Sequence, residues 1–480
     1  MNRSRALIDR EDESRELLAL AETGQPQLAM LYGRRQVGKT FLLSSIWDSR
    51  SAFYFLAADV TPELNRRELV VELGQFTDQA LNPADFPTWR TVYRQLLHTE
   101  NRTPRIVILD EFRYLLGGAD DAASQLVAVW DREMSGHPTV LVLCGSELST
   151  MERLQQSGSP LYGRMIWSAR LHPFDYLDTA RMVPHWATRE AAVAYGVFGG
   201  MPRYLSAINS NESISAAAIR TLISPRGDVH NQLATVIEQE SSIREPSTMR
   251  AVLAAVAAGR TVINEIAQAS GLGHQPYLVR RALEMLEHLE IVARERNVAS
   301  TRRTPYRYYI TDNAVRTWHR FIVPNRGRLT TGEPEEIWRE RVEPHLNDHM
   351  GQVFERIVSQ AYSRFHQTWE LPGVQDWARW QGHDRNRRSI EIDIVARLDD
   401  GRTLTGEIKW STQPRGLELH NALQRNLEDL AASGHSWATE ALVGPRLYVC
   451  SGGFTPELQS WAKDRPDIHL LSLADLYGEA

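Results

Sequence analysis

The run Gly33-Arg34-Arg35-Gln36-Val37-Gly38-Lys39-Thr40 has the residue types and spacing of a phosphate-binding loop. Its glycines let backbone N–H groups close around phosphate oxygens, and a helix starting beyond it adds the positive end of its dipole. Lys39 is placed to reach the β- and γ-phosphates of a bound nucleotide, Thr40 to ligate Mg²⁺, and Phe41 opens the helix-like run Phe41 to Trp47. The acidic pair Asp110-Glu111 supplies what hydrolysis requires. Asp110 would hold Mg²⁺ and Glu111 would polarise the attacking water. Ser146 is the candidate polar contact to the γ-phosphate.

A second constellation lies near the C-terminus. Asp393 is followed about fourteen residues on by Glu407-Ile408-Lys409. Two carboxylates at the ends of adjacent strands can hold Mg²⁺ or Mn²⁺ through oxygen. Such a metal binds a scissile phosphate and lowers the pKa of a water. Lys409 would orient that water and stabilise developing negative charge. Glu355, on an upstream helix, would complete the metal shell. Of the 54 basic residues only Lys39, Lys409 and Lys463 are lysine, and two of those three fall inside the two constellations. A compact ammonium on a flexible stem does what a planar guanidinium cannot.

The elements that must position these groups are readable. Gln27 to Tyr32 is a short apolar strand running into the loop. Arg105 to Leu109 is a buried-strand run ending in the acidic pair, the Walker B arrangement, and Thr139 to Cys144 is a third strand ending in Gly145-Ser146. Strands alternating with helical stretches predict a parallel α/β sheet with its site at the strand C-termini. Near the C-terminus, Ile390 to Ala396 alternates, with the isoleucines on one side and Glu391, Asp393 and Val395 on the other. The turn Leu398 to Gly401 leads to the strand Thr403 to Ser411, where Glu407 and Lys409 share a face. Glu355 lies on the helical run Gly351 to Val358. A helix at about 417–433 and a strand Arg446 to Cys450 follow.

Between the constellations, residues 180 to 245 read as amphipathic helices suited to a lid. Met249 to Ala258, Thr261 to Leu272 and about Pro276 to His288 then read as helices. A hairpin follows, from Ile291-Val292-Ala293-Arg294 back through Tyr306 to Ile310. This is the order of a winged helix-turn-helix. Arg294, Arg296, Arg302, Arg303 and Arg307 on and around the hairpin could meet phosphates. A polar connector, Asn325 to Pro334, precedes the C-terminal part. There Trp369, Trp377, Trp380 and Trp410 read as packing residues, and Arg379, Arg385, Arg387 and Arg388 form a basic run that suits either a nucleic-acid backbone or a solvated loop.

Composition bounds these readings. At 480 residues the chain should hold roughly three domains. A mean hydropathy of −0.38 and the lack of any long apolar run argue against a membrane protein. The charged N-terminus has no signal-like apolar region. Two cysteines, Cys144 and Cys450, cannot build a disulfide framework or a four-thiolate zinc site, which fits a reducing cytoplasm. The net charge of −6 is no advertisement for a nucleic-acid partner, although the arginines are locally clustered.

The ordered series GRRQVGKT, ILDEFRYL, LCGSELSTM, SPLYGR and GGMPRYL, over roughly residues 1 to 240, resembles the archaeal-type ATPases, P-loop proteins related to AAA+ and STAND NTPases. The resemblance implies ATP and Mg²⁺. It also implies a base contact from Gly200-Met201-Pro202 and from the segment Leu7-Ile8-Asp9-Arg10-Glu11, and a γ-phosphate sensor or arginine finger at Arg164. Such fingers often act between subunits, which leaves room for a homo-oligomer. The segments GQVFE, EIDI and EIKW, over roughly 345 to 480, are similar to the nuclease-like domain often fused to these ATPases, of the PD-(D/E)xK type. The proline usual before the first acid is absent here. The expected architecture is a P-loop core (1–175), a helical lid (176–245), a winged helix (246–335) and a restriction-endonuclease-like α/β domain (340–480). The expected activity is an ATP-controlled, metal-dependent DNA endonuclease without a membrane association. The alternative is a STAND-like DNA-binding regulator with a catalytically silent nuclease fold. No helicase motif series supports a DNA-remodelling motor.

Overall fold

The computed structural model describes residues 7–97, 106–117, 121–134, 137–238, 243, 245–298, 305–330 and 332–479. Arg105, Arg302 and Arg303 lie outside them. The chain forms two compact units, one running to Pro173, the other beginning at Phe174. No described helix is long and apolar enough to cross a membrane.

The first unit is built on five parallel strands, β1 (Gln27–Tyr32), β2 (Ala52–Leu56), β3 (Ile106–Asp110), β4 (Val140–Gly145) and β5 (Trp167–Arg170), in the order β2-β3-β4-β1-β5. β3 and β4 are buried along their whole length, as strands covered on both faces must be, so they read as continuous apolar runs. The sequence reading finds three of the five. The run Ala-Phe-Tyr-Phe-Leu of β2 is too short for its period to separate strand from helix, and the edge strand β5 has no apolar run. One face packs Phe53, Phe55, Leu69, Trp89, Tyr93 and Phe112 into a common core.

The second unit begins with the helices Tyr176–Met182 and Thr188–Phe198. Three helices, Pro246–Ala257, Ile263–Ala269 and Pro276–His288, then lead to an antiparallel hairpin of β6 (Val292–Glu295) and β7 (Arg307–Ile310). Pro246 and Pro276 stand in the first turn of their helices, where a missing N–H leaves no bond unmade. Val279, Ala282, Leu283 and Leu286 form the buried stripe of the last helix. Within the expected polar connector, Arg326–Leu329 is a helical turn that buries Leu329; helical turns also run through Asn313–Asn325 and Pro334–His345, where Trp318, Phe321, Ile337 and Trp338 are buried between polar neighbours.

The C-terminal sheet has the order β12-β11-β10-β9-β8, from β8 (Val374–His383), β9 (Ser389–Leu398), β10 (Thr403–Lys409), β11 (Arg446–Cys450) and β12 (Ile468–Ser472). β8, β9 and β10 are antiparallel; β10, β11 and β12 are parallel. The helix Leu346–Phe365 covers one face through Val353, Phe354, Ile357 and Ala361. The helix Leu417–Ala432 covers the other through Leu419, Leu423, Leu427 and Leu430.

The strict alternation expected of β9 is broken. Ile390 and Ile392 pack with Val395 on one face, whereas Ile394 packs with Ala396 and Leu398 on the other. The register gives the cause. Between the pairs Ala378↔Val395 and Trp380↔Ile392, β8 advances two residues and β9 three, a bulge that holds Asp393. Bulges bend a strand and re-aim a side chain.

Candidate functional site

Two clusters need separate description, one in each unit. In the first, the C-terminal ends of β1, β3 and β4 lie along one edge of the sheet, with Leu31 opposite Cys144 and Leu109 opposite Leu143. The loop Gly33 to Gly38 turns off the end of β1. Gly38 has φ 102° and Gln36 φ 68°, the left-handed conformations that fold N–H groups inward ahead of the helix Lys39–Ile46. A Cβ on Gly33 would come within 2.6 Å of the Leu171 carbonyl oxygen, so only glycine fits. Arg34 and Val37 are buried, Arg35 is half-buried, and Gln36, Thr40 and Phe41 are exposed.

Lys39 is buried and donates from Nζ to the carbonyls of Gly33 (2.8 Å) and Arg34 (3.2 Å). Thr40 Oγ1 donates to Asp110 Oδ2 at 3.2 Å. Tyr54, from β2, donates its hydroxyl to the same oxygen. Burial, and then the Asp110 charge, push the Tyr54 phenol above its ordinary value, so it stays a donor. Glu111 sits at φ 51° and accepts from Ser146 Oγ at 2.9 Å, with Arg113 Nε 3.5 Å from the same carboxylate oxygen. The hydroxyl of Thr40 beside the carboxylate of Asp110 forms a hard-oxygen pair suited to Mg²⁺, which ordinarily draws its remaining ligands from water and phosphate. Ser146 touches Glu111 directly, so it orients that carboxylate. Tyr54 was not legible as a site residue, because only the pairing of β2 with β3 brings it to Asp110.

The remaining expected nucleotide contacts fare differently. Arg164 binds Asp131 by both edges of its guanidinium, with Nε 3.0 Å from Oδ1 and Nη2 2.6 Å from Oδ2. In this arrangement the guanidinium is held by that bidentate pair. Arg10 ties the N-terminal segment to the sheet by donating to the His172 carbonyl at 2.6 Å. Pro202 starts the helix Pro202–Leu205 in the second unit. A Cβ on Gly200 there would lie 1.8 Å from the Phe174 carbonyl oxygen, a packing reason for that glycine.

The second cluster stands where β9 and β10 part. Their ladder ends at Gly406↔Ile394. Beyond it the bulged Asp393 replaces a backbone acceptor: its Oδ2 accepts from the Ile408 N–H at 2.9 Å. Lys409 Nζ bridges the two carboxylates, 2.8 Å from Asp393 Oδ2 and 2.7 Å from Glu407 Oε2. Burial, reinforced by Asp393, pushes Glu407 up to about 8. Burial opposes the Lys409 charge, but Glu407 and Asp393 outweigh it and hold the ammonium above its ordinary value.

Asp393 also lines a cavity of about 350 Å³ together with Glu355, Arg379 and Ile408, walled by Glu295 and Tyr309 of the hairpin. Glu355 is raised to about 7 by burial, against the pull of Arg379. Arg379 Nη2 lies 3.3 Å from Glu355, its Nε 3.4 Å from Glu295 and its Nη1 3.7 Å from Glu391, with the Tyr309 ring 4.3 Å away. Arg379 is a partner of Glu355 inside the site and not part of a solvated loop. Arg388 is likewise engaged, with Asp429 at 2.6 Å. Trp377 and Trp410 pack on Tyr362 and Phe354.

The hairpin arginines are also occupied. Arg294 and Arg296 stack on Tyr306 at 4.7 and 3.7 Å, and Arg307 donates to Thr261 Oγ1 at 3.2 Å. Asn297 pairs with the backbone of Gln381 on the outer edge of β8, donating at 2.7 Å and accepting at 3.1 Å.

Among the described residues no group of three or more His, Cys, Asp or Glu converges as a metal site. The donor chemistry at Asp393 and Glu407 nonetheless fits a hard divalent cation. Two close carboxylates share one ammonium, and burial beside Asp393 disfavours the second negative charge, which a bound cation would offset. Two carboxylates completed by water and substrate oxygens are a usual Mg²⁺ set.

Residues 7–208 match the family described as an ATPase domain predominantly from Archaea. Residues 318–423 match a family of archaeal and bacterial proteins of unknown function. An uncharacterized protein of Methanocaldococcus jannaschii is 25% identical over 412 residues, 84% of this chain and 87% of its own. The Walker-type ATPase of Pyrococcus abyssi is 23% identical, covering 65% of this chain and 96% of its own, with a TM-score of 0.48. The ORC2 protein of Aeropyrum pernix is 14% identical over 69% of this chain and 98% of its own, with a TM-score of 0.45. The phosphate-binding loop and the acidic strand end both fall inside the match over 7–208, so this part of the chain is similar to an ATPase domain predominantly from Archaea.

Proposed function

We propose that the chain binds and hydrolyses ATP at Lys39, Thr40, Asp110 and Glu111, and that this activity controls a metal-dependent phosphodiesterase, acting on DNA, at Asp393, Glu407 and Lys409. The observation that carries the second half is the Lys409 ammonium held 2.7–2.8 Å from both carboxylates beside a bulge that aims Asp393 at it. An ammonium fixed there can orient a water and offset charge building on a phosphate oxygen. A divalent cation, when bound, supplies the Lewis acid. Asp393 and Glu407 hold it, Lys409 positions the water, and Glu355 accepts a proton once ionised. In the ATPase domain, Lys39 leaves the Gly33 and Arg34 carbonyls for the phosphates, while Ser146 keeps Glu111 aimed at the attacking water.

The second reading is a nucleotide-dependent DNA-binding regulator with a silent nuclease fold. The salt bridge of Glu295 to Arg379 favours it, because it draws the hairpin over the cavity beside Asp393. Incubating the full chain with supercoiled and single-stranded DNA in Mg²⁺ or Mn²⁺ separates the two. Metal-dependent cutting lost in Lys409→Ala supports the nuclease; intact DNA alongside ATP hydrolysis supports the regulator.

A further inference from the structure

A cavity of about 530 Å³ lies between the helix Pro246–Ala257, strand β7 and the helical turns after Asn313. That volume falls within the range of small-molecule sites, roughly 300–1,000 Å³. Its walls are apolar at Ala254, Val256 and Val323, and its polar groups are lopsided. Arg316 is 7% exposed, yet its guanidinium makes a single hydrogen bond, from Nη1 to the His349 carbonyl at 2.9 Å, and no ion pair among the described residues. Buried guanidinium groups are ordinarily paired with a carboxylate or phosphate, because an uncompensated buried charge is costly. Charges of both signs surround it, Arg320 and Arg356 on one hand and Asp348 and Glu355 on the other, but neither carboxylate pairs with it.

His319, also lining the cavity, is 5% exposed, and its Nδ1 is buried without a hydrogen-bond partner. Arg320 completes the cationic side, and its carboxylate partner Asp348 stands at the rim with a side chain 78% exposed. Two arginines thus line a recess that holds one outward-turned carboxylate. A planar guanidinium binds phosphate by two parallel bonds, which a phosphate monoester can accept while its organic part rests on the apolar wall.

We infer that this cavity is a binding site for a small phosphate-bearing ligand, of the size of a nucleoside monophosphate, with Arg316 as its anchor. The cavity shares Tyr309, Ile310, Arg316 and Gln352 with the neighbouring one that Asp393 lines, but its ligand is held by Arg316 and not by the Asp393 carboxylate, so the inference does not require the chain to cut DNA.

Calorimetric titration of the full chain carrying Lys39→Ala, which silences the phosphate-binding loop, tests it. The probes are orthophosphate, adenosine monophosphate and a short DNA oligonucleotide. The expected result is binding of adenosine monophosphate, with orthophosphate weaker. Adding Arg316→Met should weaken binding about 10- to 100-fold, the loss of hydrogen bonds to a charged group. Adding Ala254→Phe, which fills the recess and keeps the arginine, should abolish it. Binding of the oligonucleotide alone, lost in both variants, would assign the phosphate to a nucleic-acid backbone. No binding of any probe, or binding indifferent to both variants, overturns the inference. If Arg316→Met does not fold, Ala254→Phe decides alone.

Discussion

Replacing Glu407 by glutamine should stabilise the chain in alkaline, metal-free solution, although it removes a residue of the proposed site. Burial beside Asp393 raises this carboxyl from its ordinary 4.5 to about 8. The folded state therefore binds a proton more tightly than the unfolded state. Stability from this group is fully present below pH 4.5 and is lost as pH rises toward 8. Three and a half units correspond to about 5 kcal/mol above pH 8. Water entry and relaxation at the strand ends lower the expected gain from Glu407→Gln to about 2–5 kcal/mol. Thermal melts in EDTA at pH 5 and pH 9 measure it. The midpoint should rise by several degrees at pH 9 and by little at pH 5, where the penalty is under about 1 kcal/mol. Mg²⁺ should stabilise the parent chain at pH 9 and the variant much less. A variant less stable than the parent at pH 9, or one that gains equally at both pH values, refutes the electrostatic account of this pair.

Other perturbations follow from the same geometry. Lys39→Ala should reduce ATP hydrolysis about 100-fold or more, read by phosphate release, with the fold unchanged by circular dichroism. Tyr54→Phe frees Asp110 from its hydroxyl partner and should lower the Mg²⁺ concentration for half-maximal hydrolysis several-fold; an increase would contradict the role given to Asp110. Gly406→Ala would set a Cβ 1.9 Å from the Leu447 carbonyl oxygen and should cost at least about 2 kcal/mol, seen as a lowered melting midpoint or insoluble protein. Cleavage should rise with pH through about 7 as Glu355 ionises, and that limb should flatten in Glu355→Gln.

Chemistry concentrated in contiguous runs was legible in the sequence. The loop Gly33 to Thr40 and the acidic end of β3 stand where their flanking apolar strands put them, and Asp393, Glu407 and Lys409 meet because a hairpin turn fixes their register. Features that arise only from pairing between distant segments were not legible. The bulge at Asp393 depends on how β8 packs, and nothing in Glu391-Ile392-Asp393-Ile394 marks the extra residue. Tyr54 reaches Asp110 across a strand pair, and Asp131 captures Arg164 from a helix 33 positions away. The helical turns between Asn313 and His345 escaped because their apolar residues are spread among arginines and glutamates and show no long periodic stripe.

Cleavage of labelled DNA by the full chain in Mg²⁺, with and without ATP, tests the central claim most directly when the parent, Lys409→Ala and Lys39→Ala are run side by side. The account predicts metal-dependent cutting that disappears in Lys409→Ala, and a response to ATP that disappears in Lys39→Ala. Cutting that persists in Lys409→Ala, or that proceeds at the same rate with and without ATP in the parent, would contradict it.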